Sequence, residues 1–182
     1  MPLLKNHYTS EDYWNLPEGE RAELIDGKFY DMAPPSRIHQ EISGQIYKTI
    51  TNYIDARRGS CKVYAAPFAV NLDADDRDWV EPDISVICDP NKLTDCGCSG
   101  APDLIFEIVS PSSRRMDYNR KNTLYSDAGV REYWIVDPAK ERVTVYHYED
   151  DAAPVIYPFA QDIPVGIYPG LTIKINDLLE NY

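Results

Sequence analysis

The period of the apolar positions changes along the chain, and each change marks an element. Thr9-Ser10-Glu11-Asp12, a capping residue followed by early acids, leads into Tyr13, Trp14 and Leu16 and predicts a short helix that ends before Pro17. Ala22 to Met32 alternates on either side of Asp26-Gly27, a strong hairpin signal, until Pro34-Pro35 breaks the strand. From Ile38 the period becomes four. Ile38, Ile42, Ile46, Ile50 and Ile54 predict a long amphipathic helix that ends near Arg57-Arg58-Gly59, with cations in its last turn and a stripe that must face a sheet. Lys62 to Leu72 reads as one strand interrupted by Pro67, and Leu72 to Asp78 as an acidic loop. Two β-branched runs follow, Val80 to Ile87 and Ala101 to Val109, joined by a loop rich in Gly and Cys. Ser110-Pro111-Ser112-Ser113 makes a turn and a cap for a helix over Arg114 to Ala128, which Gly129 stops. Val130 to Val136 is a strand closed by Asp137-Pro138 and paired with Arg142 to Tyr148. A Pro-broken strand near Val155 to Pro158, another over Leu171 to Ile175 and a short helix over Asn176 to Asn181 complete the order.

The central order is helix, three strands, helix, strand, with a hairpin before it and more β structure after it. That predicts a mixed α/β, or α+β, domain. A chain of 182 residues is long enough for one domain with its own core, expected over 1–182 with its centre at about 36–148.

Composition alters this picture little. Apolar content is 43 %, ordinary for a globular chain. No apolar run approaches the ~20 residues of a membrane span, and the first residues lack the apolar core of a secretory signal, so a cytoplasmic protein without membrane contact is expected. Charge says more. A formal net charge of -12 argues against a protein that coats nucleic acid through a basic surface. It leaves room for a local basic patch, for which Arg57, Arg58, Arg114, Arg115 and Arg120 are the candidates. Cys61, Cys88, Cys96 and Cys98 fit no common zinc spacing, so free thiols are expected, with Cys61 and Cys88 as small strand residues. The acidic string from Asp73 to Asp78 lacks the later Glu of a calcium loop and reads as a solvated turn.

The candidate chemistry lies in the two β-branched runs. Asp83 follows Pro82 at the mouth of the first, and Glu107 sits between Phe106 and Ile108 in the second. An acid inside an apolar run is costly unless it is paired, protonated or bound to a metal. If the runs are neighbours in a sheet, the two acids converge, and converging carboxylates suit a hard divalent cation. Such a cation polarises a phosphoryl oxygen and activates a bound water. On the following helix Asp117, Lys121 and Tyr125 are four residues apart and share a face flanked by Leu124 and Ala128, which sets Lys121 over the sheet edge near Asp83 and Glu107. The alternative is a surface Asp117–Lys121 pair, worth roughly a few tenths of a kcal/mol.

Pro82-Asp83, some twenty residues, then Glu107-x-Val109 resembles the PD-(D/E)XK nuclease superfamily, whose core has the same order of elements. The chain is more closely similar to the Uma-two family of restriction-endonuclease-like proteins. The likeness rests on Glu23 to Gly27, His39, Glu81 to Val86, Gly100 to Ser112, Asp117-x-x-x-Lys121-x-x-x-Tyr125 and Gly129 to Asp137. It implies a restriction-endonuclease-like fold and a magnesium- or manganese-dependent endonuclease acting on DNA. Asp83 and Glu107 are then the metal ligands, with Ile108 as a further ligand position. Val109 stands where the superfamily usually has a lysine, and Lys121 is the candidate replacement. Glu23 is either a third carboxylate of the site, a solvent-facing strand residue or a partner for an arginine. His39 either approaches the site from the head of the long helix or hydrogen-bonds in the core. A homodimer would suit cutting of two strands. Two other readings remain: a nuclease-fold binding module without catalysis, for which Val109 speaks, and a phosphohydrolase for a small molecule, for which the net charge speaks.

Overall fold

A computed structural model describes residues 7–150 and 152–179. Helix α1 (Ser10–Trp14) is short, and the Asp12 carboxylate reaches back to the Thr9 N–H at 2.9 Å, as in a capping box. Strands β1 (Ala22–Ile25) and β2 (Lys28–Asp31) form the expected hairpin. Its two turn residues, Asp26 and Gly27, have φ of 50° and 67°, the left-handed pair that a two-residue hairpin loop requires. Helix α2 (Arg37–Ala56) is capped by Ser36, whose side chain accepts from the His39 N–H, and it buries Ile42, Ile46, Ile50 and Ile54. Arg57 is the residue that ends this helix, so the expected cations lie just past its last turn.

The β-rich centre comprises β3 (Lys62–Ala65), β4 (Val70–Asn71), β5 (Trp79–Val80), β6 (Ile84–Ile87), β7 (Leu93–Thr94), β8 (Gly97–Ser99) and β9 (Leu104–Ile108). A helical segment follows. Met116–Lys121 is π-helical and runs directly into α3 (Asn122–Ala128), which ends at Gly129 with φ 88°. Then come β10 (Glu132–Asp137), β11 (Arg142–His147), β12 (Val155–Pro158), β13 (Ile163–Pro164), β14 (Thr172–Ile173) and α4 (Ile175–Leu179). The last two residues of the expected closing helix, Glu180 and Asn181, lie outside the described residues.

Among the described residues, one sheet has the order β12-β11-β10-β9-β6-β3 and a second the order β2-β1-β5-β4-β8-β7. The chain crosses between them five times from β2 to β9, and two of these crossings fall inside runs that read as single strands. The run from Lys62 to Leu72 is not one strand: β3 belongs to the first sheet and β4 to the second. The run from Val80 to Ile87 is likewise divided between β5 and β6. Pro67 and Pro82 sit at these two joints. A proline donates no ladder hydrogen bond, so each marks where one sheet releases the chain to the other.

Alternation along the first sheet gives it two apolar faces. Ile84, Val86, Leu104, Phe106, Ile108 and Trp134 pack against the isoleucine stripe of α2. Ile105, Tyr133 and Ile135 pack on the other side with Tyr125 of α3 and with Val70 and Val80 of the second sheet. Odd-numbered positions of β9 therefore face α3, and Glu107 is one of them.

Two further expectations are corrected. Cys61 and Cys88 are not free thiols: they form a disulfide beside the ladder in which Lys62 pairs with Ile87. Antiparallel register makes them neighbours although 27 residues separate them in sequence, and spacing alone carries no trace of that. Cys96 and Cys98 are free, one exposed and the other buried. The acidic loop is not wholly solvated either, because Asp78 is buried and its carboxylate accepts from the Asp26 N–H at 2.7 Å, bracing the hairpin turn.

Candidate active site

The site grows out of strand register. Strands β6 and β9 run antiparallel with Ile84 opposite Phe106. One step further puts Asp83 opposite Glu107, on the face that looks toward α3. The two residues are tied together there. The Ile108 N–H donates to Asp83 Oδ2 at 2.7 Å, and the Asp83 N–H makes a long 3.4 Å contact with Glu107 Oε2. Pro82, at the joint between the sheets, holds Asp83 at the mouth of β6.

Lys121 reaches this pair from the π-helical turn. Its Nζ is 2.9 Å from Glu107 Oε1 and 2.9 Å from Glu23 Oε1, and its side chain is only 6 % exposed. The surface-pair alternative for Asp117 and Lys121 is thereby excluded. Both are buried, and the Asp117 carboxylate lies 4.0 Å from the ammonium, too far for a hydrogen bond. Glu23 is buried on β1 and faces the site, not solvent. Besides Lys121, its Oε1 accepts from the Glu81 N–H at 2.9 Å. His39, in the first turn of α2, places Nε2 3.1 Å from Asp83 Oδ2, while its Nδ1 is buried with no partner. Ile108 lines the same cleft, and an isoleucine can offer a metal only its main-chain carbonyl. Asp83, Glu107, Ile108, Lys121, Glu23 and His39 are thus all gathered at one point, from five separate elements or joints.

Three neighbours complete the site without having been singled out as site residues. The Tyr125 hydroxyl donates to Glu107 Oε1 at 2.7 Å. Asp117 accepts from the Ser113 hydroxyl at 2.7 Å. The four-residue spacing of Asp117, Lys121 and Tyr125 was a signal for two of them, but the role of Ser113 depends on how the chain folds back at the cap. Outside the site, Glu132 and Asp137 are structural. Asp137 accepts from both terminal nitrogens of the Arg114 guanidinium, and Glu132 accepts from Trp134 Nε1 and from the main chain of Gly166 and Ile167.

Electrostatics follow from burial. Glu23, Glu107 and Asp117 surround a single ammonium, and Asp83 adjoins Glu107. Burial pushes the Glu107 carboxyl well above its ordinary range despite the pull of Lys121. Burial also raises Asp117, to about 6, against the opposing effect of Lys121 and the Ser113 hydrogen bond. Burial alone would lower Lys121, but Glu107, Glu23 and Asp117 outweigh it and hold its pKa well above the usual value. Lys121 therefore stays protonated, while burial drives Glu107 and Asp117 toward their neutral forms, a shift that a second cation beside them would oppose.

These residues line a cleft of about 780 Å³ that opens between the loop Met32–Ser36 and the loop Ser110–Ser113. The expected basic patch is divided: Arg57 and Arg58 are remote from the cleft and Arg114 is ion-paired, while Arg115 and Arg120 are exposed on the segment that follows the loop 110–113. About 27 Å of helix, at ~1.5 Å per residue, separates Arg57 from His39. Arg114 is bound to Asp137, Arg120 to the Tyr30 hydroxyl, and Arg21 to Glu81.

The family model of Uma2, described as "Putative restriction endonuclease", matches residues 10–176. The chain belongs to the Uma2 family. Among curated proteins it is similar to "Uncharacterized protein slr1290" of Synechocystis sp. (strain ATCC 27184 / PCC 6803 / Kazusa), at 28 % identity over 144 residues, covering 78 % of this chain and 74 % of that protein. Among solved structures it is similar to "a putative nuclease belonging to DUF820 from Anabaena variabilis ATCC 29413", with a TM-score of 0.77 and 22 % identity over 94 % of this chain and 97 % of that one. That similarity shows the fold. The Uma2 match covers Glu23, His39, Asp83, Glu107 and Lys121.

The donor set of this Uma2 site is consistent with magnesium or manganese and not with a cation that needs a full cage of side chains. Among the described residues no group of three or more His, Cys, Asp or Glu side chains is gathered tightly enough to hold a metal alone. Magnesium asks for less: one or two carboxylates, with waters and substrate phosphate filling the rest. Asp83 and Glu107 supply two carboxylates from neighbouring strands.

Proposed function

We propose that this Uma2 protein is a metal-dependent endonuclease that hydrolyses phosphodiester bonds in DNA. The observation that carries the reading is the register pair Asp83–Glu107 at the floor of a cleft, with the Lys121 ammonium 2.9 Å from Glu107. Asp83, Glu107 and the Ile108 carbonyl would hold a magnesium or manganese ion. When bound, that ion supplies Lewis-acid polarisation of the phosphoryl oxygen and a more acidic water.

The chain's own residues do the rest. His39 and the Ile108 N–H both engage Asp83 Oδ2, which fixes the carboxylate and leaves Oδ1 for a ligand. Lys121 is too firmly protonated to serve as a base. It acts as a fixed positive donor: two of its protons go to Glu23 and Glu107, and the third can orient the attacking water or meet charge developing on the phosphate. Glu23 positions Lys121, and Tyr125 positions Glu107 through its hydroxyl. Lys121 thus stands in for the lysine that Val109 replaces.

The test is cleavage of plasmid and oligonucleotide DNA with Mg2+ or Mn2+ by wild type, Asp83→Ala and Lys121→Met. Wild type should cut only with the metal, and each variant should lose ~100-fold or more. Equal nicking by wild type and Asp83→Ala, or none by wild type across many substrates, would overturn the reading.

A further inference from the structure

The exposed aromatic residue that nothing above employs is Trp14, at 49 % exposure. Single exposed apolar residues are common on protein surfaces, but this one is held in place. Its ring stands edge-on to Tyr13 at 5.0 Å and to Trp79 at 5.1 Å, while Tyr13 and Trp79 stack on each other at 5.4 Å. Trp79 Nε1 in turn donates to the Ser10 hydroxyl at 2.7 Å. Helix α1 is thereby clamped to β5, and about half of the Trp14 surface is left in solvent.

This platform adjoins the cleft. The Tyr13 hydroxyl donates to Glu81 Oε1 at 3.0 Å, and Glu81 lines the cleft wall with Arg21, its ion-pair partner. The Glu81 N–H is the group that fixes Glu23. Trp14 therefore stands one side chain back from the wall of the site.

The cleft itself is poorly suited to an intact duplex. Glu107, Asp117 and Lys121 are at most 6 % exposed at their side chains, so the reacting phosphate must come down to a deep floor. Duplex-binding surfaces neutralise a row of phosphates with free cations. Here Arg21 and Arg114 are ion-paired within the protein, and the exposed Arg115 and Arg120, the latter against the uncharged Tyr30 hydroxyl, do not make such a row. The mouth is instead apolar, with Met32, Pro34, Pro35, Pro111 and Met116 along it. An unpaired strand resolves both difficulties. It is narrow enough to lower one phosphate to the floor, and its bases can stack on aromatic and apolar surface in place of extra cation contacts.

We infer that the substrate of this site is an unpaired DNA strand, and that Trp14 is a stacking platform for a base that lies outside the cleft, beyond the wall formed by Glu81 and Arg21. The inference rests on the nuclease reading of the cleft, and binding separates the two. Fluorescence anisotropy of a labelled single-stranded oligonucleotide and of its duplex is measured with wild type, Trp14→Ala and Trp14→Phe, with Ca2+ in place of Mg2+. The single strand should bind about ten-fold or more tightly than the duplex. Trp14→Ala should weaken it ~10-fold, Trp14→Phe should restore most of the affinity, and tryptophan fluorescence quenching on binding should shrink in both variants. Unchanged melting temperatures show that α1 remains docked. Duplex binding equal to or tighter than single-strand binding, or Trp14→Ala binding like wild type, overturns the inference. Oligonucleotide cleavage with Mn2+ is scored separately. Selective single-strand binding without cleavage supports the platform and overturns the nuclease reading instead.

Discussion

Lys121 is the residue on which the site's energetics turn. It is one cation among buried carboxylates, within 2.9 Å of both Glu23 and Glu107. Such a pair is weak evidence for stability in itself, because desolvation offsets most of the attraction. Removing one partner is a different matter, since it strands charge in a medium that cannot solvate it. Lys121→Met keeps much of the side chain's volume and deletes only the ammonium. It should destabilise the fold by about 3–5 kcal/mol near neutral pH. The sign of its pH dependence follows from the acids left behind. Buried carboxylates without a cation take up protons as the pH falls and become neutral, so the penalty should shrink toward pH 5. Urea unfolding of wild type and variant at two pH values measures both effects. A difference under ~0.5 kcal/mol at neutral pH would mean that the cluster is far more hydrated than its burial indicates. The sequence held the identity of this residue but not its geometry. Spacing put Asp117, Lys121 and Tyr125 on one face, and the β-branched context of Asp83 and Glu107 named the acids. Nothing local told Glu23 from a solvent-facing strand residue, because its burial is decided by a helix nearly a hundred positions away.

At the level of elements, the hairpin, both principal helices and the order of the central strands were all legible, because each follows from periodicity and end signals that act locally. The failures share one cause: a partner that local pattern cannot name. Val80 to Ile87 is continuous as a hydrophobic run, yet β5 pairs with β1 and β6 with β9, so the run divides at Pro82. The π-helical turn was equally hidden, since Asp117, Lys121 and Tyr125 are four apart in sequence whichever way the turn is wound. The second sheet deserves weight because β1, which carries Glu23, is secured through it by way of β5, β4 and β8. The tightest point of that sheet is Gly97, before whose missing side chain the chain of β4's approach passes. Its φ is +144°, and a Cβ there would lie 2.1 Å from the Ala69 carbonyl oxygen, a backbone atom that cannot swing aside. Gly97→Ala should therefore cost more than ~2 kcal/mol, combining a strained backbone with a clash. A thermal melt of that variant within ~2 °C of wild type would show that β8 is free to shift away from β4.

For the whole molecule the deciding quantity is charge. The chain carries a net -12, Arg21 and Arg114 near the cleft are paired with carboxylates, and Arg115 and Arg120 are the exposed arginines beside them. This protein can therefore neutralise few phosphates on its own account. Affinity for nucleic acid depends on the logarithm of salt concentration with a slope set by the number of phosphates neutralised, about 0.9 per phosphate on a duplex and about 0.7 on a single strand. Proteins with a basic groove make six to ten such contacts and show correspondingly steep slopes, roughly five to nine in magnitude. Here the expected slope for a single-stranded oligonucleotide is shallow, about 1–2, because apolar stacking and a metal ion would take the place of a cation row. Net repulsion between an acidic protein and a polyanion also slows encounter at low salt, so association should quicken as salt is first added, opposite to the behaviour of a basic nuclease. Titrations of anisotropy against potassium chloride at constant divalent ion give the slope, and stopped-flow mixing gives the rate. A slope steeper than ~5 would reveal a phosphate-binding surface with many more cations than Arg115 and Arg120 supply.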